Sequence, residues 1–564
     1  MGRKRKNRDN TVDRQNHNSI EDPLTIKSSW FGNEIHWVSR HYDETSILKH
    51  SCGYDDNGSG GHDETMPLDT SCCALAHPND NVELISSMYN TTCNSINTTN
   101  DETSSTHASL SSELNQLKQQ LMPAAQSCAD AINNLNKTNN RKATTPQYEF
   151  RQARSICNPY ESMGDILIRP HRYNNFKRSH RRNGKSSSFQ FVNRSAIKLA
   201  NIDALLGFSL TNVSSSTTMA NDEKYFAFVD LCGAPGGFSE YLLYRHMNPL
   251  RSTVDVTNTQ CSSSATANDN TNSVDNATSC FGFGMSLLGK NDEGKGARWD
   301  LNHLRKHYNL QINNELGAKK DTTASQPPAG YKSNNESKQL LYYHVCRGID
   351  GTGTIYNWDN VIELQRQLSM QLCGDNDDCE ESNNDDSNGT VNERHRVYLV
   401  VADGGFDAQR DSDNQEVLAH HIVVSQTAAA LTLLREGGTY VVKMFGFHED
   451  YTKRMLRYLY GCFDKMTFMK PTSSRPASAE RYLICSGYTG VGHDWDGLAW
   501  KQQQMDILSE ESQPSNYDYT PLANLAAKFD LDMLKLNVES CRSIIDYLHK
   551  KRYGMKEEET SIDC

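Results

Sequence analysis

A glycine-rich turn between a strand-like run and a helical run is the feature that most constrains the fold of this chain. Residues 225–230 (YFAFVD) are mostly apolar, residues 230–238 have the sequence DLCGAPGGF, and residues 238–246 have helical spacing. Glycine allows a tight turn and a close approach to a ligand, and such turns in parallel sheets lie where ligands bind. The spacing departs from G-x-G-x-x-G, which disfavours a dinucleotide. The turn therefore predicts an α/β domain with a different small-molecule site.

Short apolar runs alternate with helical runs between residues 148 and 488. This alternation predicts a mostly parallel sheet with helices on both faces. Further strands are predicted at 279–285, 340–345, 397–403, 438–443, 463–469 and 481–485, and further helices at 415–435 and 453–462.

The composition predicts one packed domain that is flanked and interrupted by polar segments. Hydrophobic residues make up 36% of the 564 residues, and the mean hydropathy is −0.71, both low for a fully packed protein. We expect a disordered polar N-terminal region at 1–108, a helical lead-in at 109–147 with a break at Pro123, the α/β domain at 148–490 and a helical appendage at 491–564. Surface insertions in loops are expected at 258–276, 318–338 and 373–395.

Charge is distributed unevenly along the chain, whose formal net charge is −12. Acidic residues collect at 374–388 and basic residues at 2–8 and 169–185, and local patches matter more for binding than the sum does. Segment 2–8 is either a nuclear localisation signal or a solvated tail. Segment 169–185 is either a clamp for a phosphate backbone or a disordered loop.

The cysteines and the hydropathy exclude several classes of protein. The 16 cysteines form no repeated CxxC pairs, which favours reduced thiols of an intracellular protein over disulfides or zinc ligands. No run approaches the roughly 18 apolar residues that a membrane-spanning helix needs. We therefore expect no membrane segment, and the sequence offers no cluster of metal ligands.

Four ionisable residues stand at informative places: Lys198 in a helical run, Asp403 and Lys443 at the ends of strands, and Glu480 directly before one. A charge that ends a buried apolar run is costly unless the charges pair. A lysine acts as a general base when its neighbours depress its pKa, as a second ammonium does. We predict that Lys443 is the base, that Lys198 lowers its pKa, and that the two carboxylates orient the lysines.

The order of these four residues, with DLCGAPGGF between the first two, resembles the FtsJ-like ribose 2′-O-methyltransferases. Further segments are similar to the eukaryotic members that methylate the first transcribed nucleotide of capped mRNA: ARSICNPYE (153–161), FVNRSAIKLANID (191–203), ADGGF (402–406), NQEVL (414–418) and SRPASAERY (474–482). The resemblance implies a Rossmann-like fold, S-adenosyl-L-methionine as the cofactor, and transfer of its methyl group to a ribose 2′-hydroxyl. It also implies a capped mRNA 5′ end as substrate, contact with transcription machinery, and a nuclear location.

The resemblance also implies residue roles, matched motif by motif. The residues implied to bind the cofactor are Asn193, Cys232, Gly233, Ala234, Pro235, Gly236, Gly237, Phe238, Thr354 and Ile355. Those implied to hold the capped RNA are Arg154, Asp413, Lys443 and Glu480. Thr354 stands where the family tends to have an acidic residue, and Asp413 stands where a neutral amide is expected.

Two alternatives remain open at this point. The same four residues would serve an enzyme that methylates the second cap nucleotide, ribosomal RNA or transfer RNA; segment 153–161 favours the first cap nucleotide because minimal FtsJ-like enzymes lack it. A non-catalytic RNA-binding subunit on the same fold is the other alternative. The intact glycine turn and the four ionisable residues disfavour it.

Overall fold

A nine-stranded sheet organises the part of the chain that the computed structural model describes. That part comprises residues 29–31, 35–39, 49–50, 98–138, 142–158, 167–168, 190–211, 225–249, 279–287, 299–308, 310–314, 341–372, 396–405, 415–490 and 518–562. The strands are β1 (Ile35–His36), β2 (Val38–Ser39), β3 (Lys49–His50), β4 (Tyr225–Leu231), β5 (Ser279–Met285), β6 (Gln311–Asn314), β7 (Leu341–Cys346), β8 (Val397–Ala402), β9 (Leu434–Met444), β10 (Phe463–Met469) and β11 (Arg481–Tyr488). The helices are α1 (Thr98–Thr138), α2 (Pro146–Ile156), α3 (Arg194–Leu205), α4 (Gly237–Met247), α5 (Asn302–Tyr308), α6 (Trp358–Leu372), α7 (Gln415–Leu433), α8 (Asp450–Cys462) and α9 (Thr520–Ile562).

The strand order of the sheet is β2-β10-β11-β9-β8-β4-β5-β7-β6. Strands from β9 to β6 run parallel, whereas β11 is antiparallel to both β9 and β10, and β2 is antiparallel to β10. The predicted mostly parallel α/β sheet is thus confirmed. Because Leu231 pairs with Ala402 and Ala402 with Val442, the residues that follow these three strand positions emerge side by side at one edge.

Successive strand residues pack on opposite faces of the sheet, as the two-residue period of a strand requires. Phe228 and Val441 join a core with Leu199 of α3 and Leu242 of α4. Their chain neighbours join a second core on the other face, formed with helices α6, α7, α8 and the start of α9. Buried parallel strands are apolar on both faces for this reason, and the almost continuous apolar runs in the sequence follow from it.

Helices α1, α2 and α9 form a third layer beside the sheet. Ala124, Ala125 and Cys128 of α1 pack against Ile544 and Leu548 of α9. The break predicted at Pro123 is wrong, because α1 continues through that residue. Proline in a helix interior costs about 3 kcal/mol or more. The buried side chains on both sides of Pro123 offset that cost.

The expectation of a disordered region at 1–108 is wrong for its described residues. Val38 pairs with Met466 of β10, which makes β2 an edge strand of the main sheet, and residues 98–108 belong to α1. Trp30 donates its backbone N–H to the carbonyl of Lys470 (3.0 Å) and its indole N–H to the carbonyl of Ser474 (2.9 Å). The cause is the apolar residues around Trp30 and Trp37, which are numerous enough to dock although they show no sustained period.

Several sequence expectations concern residues outside the described part of the chain. These are the basic segments 2–8 and 169–185, the acidic segment 374–388 and the three insertions. Within the described part, no helix is long and apolar enough to cross a membrane, and the eight described cysteines are free thiols.

An ion-pair network joins α1 and α9 to the sheet. Asp530 of α9 accepts a hydrogen bond from Arg481 of β11, and its second oxygen lies 3.3 Å from Nε2 of His107 of α1. Burial opposes the charge on Asp530, but Arg481 and the hydrogen bonds lower the pKa of this carboxyl to about 2. His107, His448 and Asp530 form a group of possible metal ligands that the sequence could not show, since they lie far apart in it. Because Arg481 already engages Asp530, we interpret the group as a clamp between helices and sheet.

Replacing Asp530 by asparagine is expected to lower the free energy of unfolding by about 3–5 kcal/mol, because breaking a buried pair leaves an uncompensated buried charge on Arg481. Chemical denaturation of the full chain measures it. The matched control is Asp532→Asn on the same helix, whose partner Lys535 is 3.7 Å away and exposed, where the expected change is below about 0.5 kcal/mol. Equal effects of the two variants would contradict the clamp.

Candidate functional site

The four ionisable residues singled out in the sequence form two ion pairs at the edge of the sheet. Nζ of Lys198 donates to Oε2 of Glu480 at 2.7 Å. Nζ of Lys443 lies 3.2 Å from Oδ1 of Asp403 and donates to the Asp403 carbonyl at 2.8 Å. Strand register explains the arrangement, because Asp403 and Lys443 follow the aligned pair Ala402 and Val442. Asp403 and Lys443, each predicted at the end of a strand, therefore meet at one edge of the sheet.

Three hydroxyl groups hold the carboxylates of these pairs. Ser195 of α3 donates to Oδ2 of Asp403 at 2.5 Å, and Tyr482 of β11 donates to Oδ1 of Asp403 at 3.1 Å. Ser474 donates to Oε1 of Glu480 at 2.8 Å. Each carboxylate thus bonds both a lysine and a hydroxyl, and the four ionisable groups are fixed relative to one another.

The electrostatics of Lys443 differ from the sequence prediction. Burial alone would lower the pKa of Lys443, but the carboxylates of Asp403 and Glu480 outweigh burial and raise it above the ordinary lysine value. The prediction that Lys198 lowers the pKa of Lys443 is wrong. Lys198 is already paired with Glu480, and the two carboxylates raise the pKa of Lys443. The raised pKa favours the ammonium form of Lys443 at neutral pH.

The glycine-rich turn lies directly beside these pairs. Cys232 has a left-handed backbone (φ 58°) and follows Leu231 of β4, and α4 begins at Gly237. A Cβ on Gly233 would lie 1.9 Å from Oδ1 of Asp230, and one on Gly237 would lie 2.1 Å from Oδ1 of Asn193. Only glycine fits at either position, so the turn is a close-packed cradle.

Asp230 at the floor of the cradle indicates what kind of ligand fits. It is fully buried, and its Oδ2 accepts hydrogen bonds from the backbone and side chain of Ser239 (3.1 and 2.6 Å). Within the described residues its Oδ1 has no hydrogen-bond partner. Burial, and then the charge on Asp403, raise the pKa of Asp230 to about 7. A nearby positive charge would favour the ionised form of this carboxyl, so the cradle fits a cationic ligand such as S-adenosylmethionine.

The other residues implied to bind the cofactor lie at the start of α3, beside Gly237, and between β7 and α6. Asn193 caps α3 by accepting from the backbone N–H of Ser195 (3.0 Å). Thr354 lies in the turn after β7, where its carbonyl accepts from Asn360 (2.9 Å). Ile355 is 3% exposed and packs into the core, so a ligand would meet its backbone.

Two of the four residues implied to hold RNA lie either on another helix or outside the described residues. Arg154 lies on α2, whose main contacts are with α1 and α9, and its guanidinium lies 5.6 Å from the ring centre of Phe150. Asp413 lies outside the described residues. Only Lys443 and Glu480 of this set are therefore seen at the site.

Sequence reasoning missed several residues that shape the site: Ser195, Asp230, Lys470, Ser474 and Tyr482. Ser195 precedes Lys198 by one helical turn, so helical periodicity could have identified it. Lys470 directly follows β10, just as Asp403 follows β8, and the same reasoning about charges at strand ends applied to it. The sequence spacing of Ser474 and Tyr482 gives no indication that they belong to the site.

Comparisons with known proteins agree with this geometry. A family model described as FtsJ-like methyltransferase matches residues 191–281 and 348–488. Curated relatives include the cap-specific mRNA (nucleoside-2′-O-)-methyltransferase 1 of Drosophila melanogaster, which is 27% identical over 70% of this chain and 36% of its own length. The mouse protein of that name is 26% identical over 60% of this chain and 28% of its own length. The chain thus spans about a third of the length of these relatives.

Among solved structures, a putative ribosomal RNA methyltransferase from Plasmodium falciparum matches 52% of this chain and 97% of its own, with 14% identity and a TM-score of 0.25. The residues matched by the family model include the glycine-rich turn and all four ionisable residues of the two ion pairs. Residues 191–281 and 348–488 of this chain are therefore similar to the FtsJ-like methyltransferases.

Proposed function

We propose that the protein transfers a methyl group to the ribose 2′-hydroxyl of the first transcribed nucleotide of capped mRNA. The observation that carries the proposal is the pair of lysine–carboxylate contacts, Lys198–Glu480 and Lys443–Asp403, beside a glycine cradle. The printed names of the curated relatives supply the substrate class. The donor is S-adenosyl-L-methionine and the expected site of action is the nucleus.

The residues of the cradle would hold the donor. When bound, S-adenosylmethionine supplies an electrophilic methyl group on a sulfonium. Asp230, whose Oδ1 has no hydrogen-bond partner within the described residues, would favour the positive charge of the donor, and Gly233 and Gly237 would let the backbone approach it. The cradle thereby fixes one of the two reacting partners next to the ion pairs.

Lys443 and its neighbours would orient and activate the ribose hydroxyl. A 2′-hydroxyl is a weak nucleophile, so it must be aligned with the methyl group and must lose its proton. The Lys443 ammonium group first donates a hydrogen bond that positions the hydroxyl oxygen. After Lys443 releases its own proton to solvent, the neutral amine accepts the hydroxyl proton, and Asp403 stabilises the ammonium that forms.

The experiment that tests the proposal measures methyl transfer from labelled S-adenosylmethionine to two short RNAs of one sequence, one capped and one with a 5′ triphosphate. Transfer to the capped RNA alone, mapped to the 2′-oxygen of the first nucleotide, is the expected result. Transfer to both RNAs would instead indicate a general ribose methyltransferase. Donor binding without transfer to either RNA would indicate another RNA target or a non-catalytic subunit.

The raised pKa of Lys443 predicts how the rate depends on pH. Below its pKa the neutral fraction of an amine rises about tenfold per pH unit, so the single-turnover rate should rise with the same slope between about pH 6.5 and 8.5. Asp403→Asn removes a charge that raises this pKa, so its profile should shift to lower pH. A flat profile in both proteins would contradict the role of Lys443 as the base.

A further inference from the structure

Lys470 is the one other lysine that reaches this site within the described residues, and it is fully buried. Its Nζ donates to Oγ of Ser474 (3.0 Å), to the carbonyl of Ser478 (2.8 Å) and to the carbonyl of Glu480 (2.5 Å). An ammonium group has three hydrogens to donate. All three are therefore used inside the loop of residues 470–480, which joins β10 to β11.

The 470–480 loop carries Glu480, and Lys470 is linked to Oε1 of the Glu480 carboxylate through Ser474. Ser474, which accepts from Lys470, itself donates to Oε1 of Glu480. Oε2 of the same carboxylate accepts from Lys198. The Glu480 side chain is thus held from one side by Lys198 and from the other by Ser474, whose hydroxyl is oriented by Lys470.

A buried ammonium is costly unless something compensates for its lost hydration. Burial lowers the pKa of Lys470 well below the ordinary lysine value, although the Glu480 charge opposes this. The same charges act in return on Glu480: burial would raise the pKa of its carboxyl, but three ammonium groups hold it well below its usual range. The contacts themselves link Lys470 to Glu480, because its Nζ bonds both the Glu480 carbonyl and the hydroxyl of Ser474, which donates to Oε1 of Glu480.

We propose that Lys470 is a positioning residue of the methyl-transfer site, which holds Glu480 in place through Ser474 and thereby fixes Lys198. The inference rests on the proposed function, since it assigns a role within the same reaction. Lys470 is enclosed by the loop and does not itself touch the reacting atoms.

The first test is a double-mutant cycle between Lys470→Met and Glu480→Gln, read as the single-turnover rate at saturating RNA and donor. Lys470→Met alone is expected to lower the rate by about 10–100-fold, the size of effect that a small misplacement produces. In the Glu480→Gln background the same change is expected to have little further effect, because coupled residues are not additive. The donor dissociation constant should stay unchanged, since Lys470 is not part of the glycine cradle.

The matched control is Lys465→Met on β10, whose ammonium group lies 4.6 Å from the ring centre of Trp37, within the described residues and away from the site. It should leave the rate unchanged. Equal losses from Lys470→Met in both backgrounds would overturn the proposal, and so would an unchanged rate. If wild-type protein transfers no methyl group to any RNA, the proposed function fails instead, so the two failures are distinguishable.

A second variant decides the matter if Lys470→Met does not fold. Ser474→Ala keeps Lys470 and removes only its link to Oε1 of Glu480. It is expected to lower the rate about tenfold, which corresponds to the loss of one hydrogen bond, and to have no further effect in the Glu480→Gln background. A wild-type rate for Ser474→Ala would overturn the proposal.

Discussion

Lys443→Ala is expected to lower the single-turnover rate of methyl transfer to capped RNA by about 10²–10⁴-fold, the usual contribution of a general base. The reason is geometric, because Lys443 is the amine fixed 3.2 Å from Oδ1 of Asp403 and directly beside the glycine cradle. Donor affinity should change little, since the cradle is built by other residues. Rapid-quench measurement with labelled donor gives the rate, and calorimetry gives the affinity.

Lys535→Ala is the control for this change, because Lys535 is an exposed lysine of α9. Its expected rate is that of the wild type, as for surface substitutions in general. If Lys443→Ala lost donor binding as well as rate, the loss would reflect collapse of the site. A rate close to wild type would remove Lys443 from the chemistry and leave Lys198 as the candidate base.

Gly237→Ala is expected to weaken binding of S-adenosylmethionine by about 10–100-fold, because overpacking costs about 1–3 kcal/mol. The added Cβ would lie 2.1 Å from Oδ1 of Asn193. Asn193 caps α3, the helix that carries Lys198, so the collision would also disturb that helix. Isothermal titration calorimetry with S-adenosylmethionine measures the change.

Gly554→Ala on α9 is the matched control, because a Cβ there would meet no atom within 4 Å. Alanine is the better helix former, so this variant should be as stable as the wild type or slightly more so. Unchanged donor affinity in Gly237→Ala would show that the cradle is not the donor site. A fall in both variants would point to a general loss of fold.

The sequence allowed the strands to be predicted well because buried parallel strands are apolar on both faces. The predicted strands at 279–285 and 463–469 coincide with β5 and β10, and β8 ends one residue before its predicted end. Charged residues at strand ends then identified Asp403 and Lys443, since register carries them to one edge. These predictions needed only local pattern and the geometry of a parallel sheet.

Long-range packing accounts for what the sequence could not show. The helix break at Pro123 failed because the partner that stabilises α1 is more than 400 residues away in α9. The pKa of Lys443 was predicted in the wrong direction because the sign depends on which carboxylates lie nearest, which only the fold decides. Helix α6 was not predicted. Its residues Val361, Leu364 and Leu368 are buried, and their spacing places them on one face of a helix.

Residues outside the region matched by the family model form hydrogen bonds with the 470–480 loop. Trp30 bonds Ser474 from the N-terminal side of the chain, and Asn537 of α9 bonds the carbonyl of Ser478 at 3.3 Å. Since Glu480 belongs to this loop, residues outside the matched region help to determine the geometry of the site. We therefore expect that exchanging the matched region between relatives would alter the geometry of this loop unless the segments that carry Trp30 and Asn537 were exchanged with it.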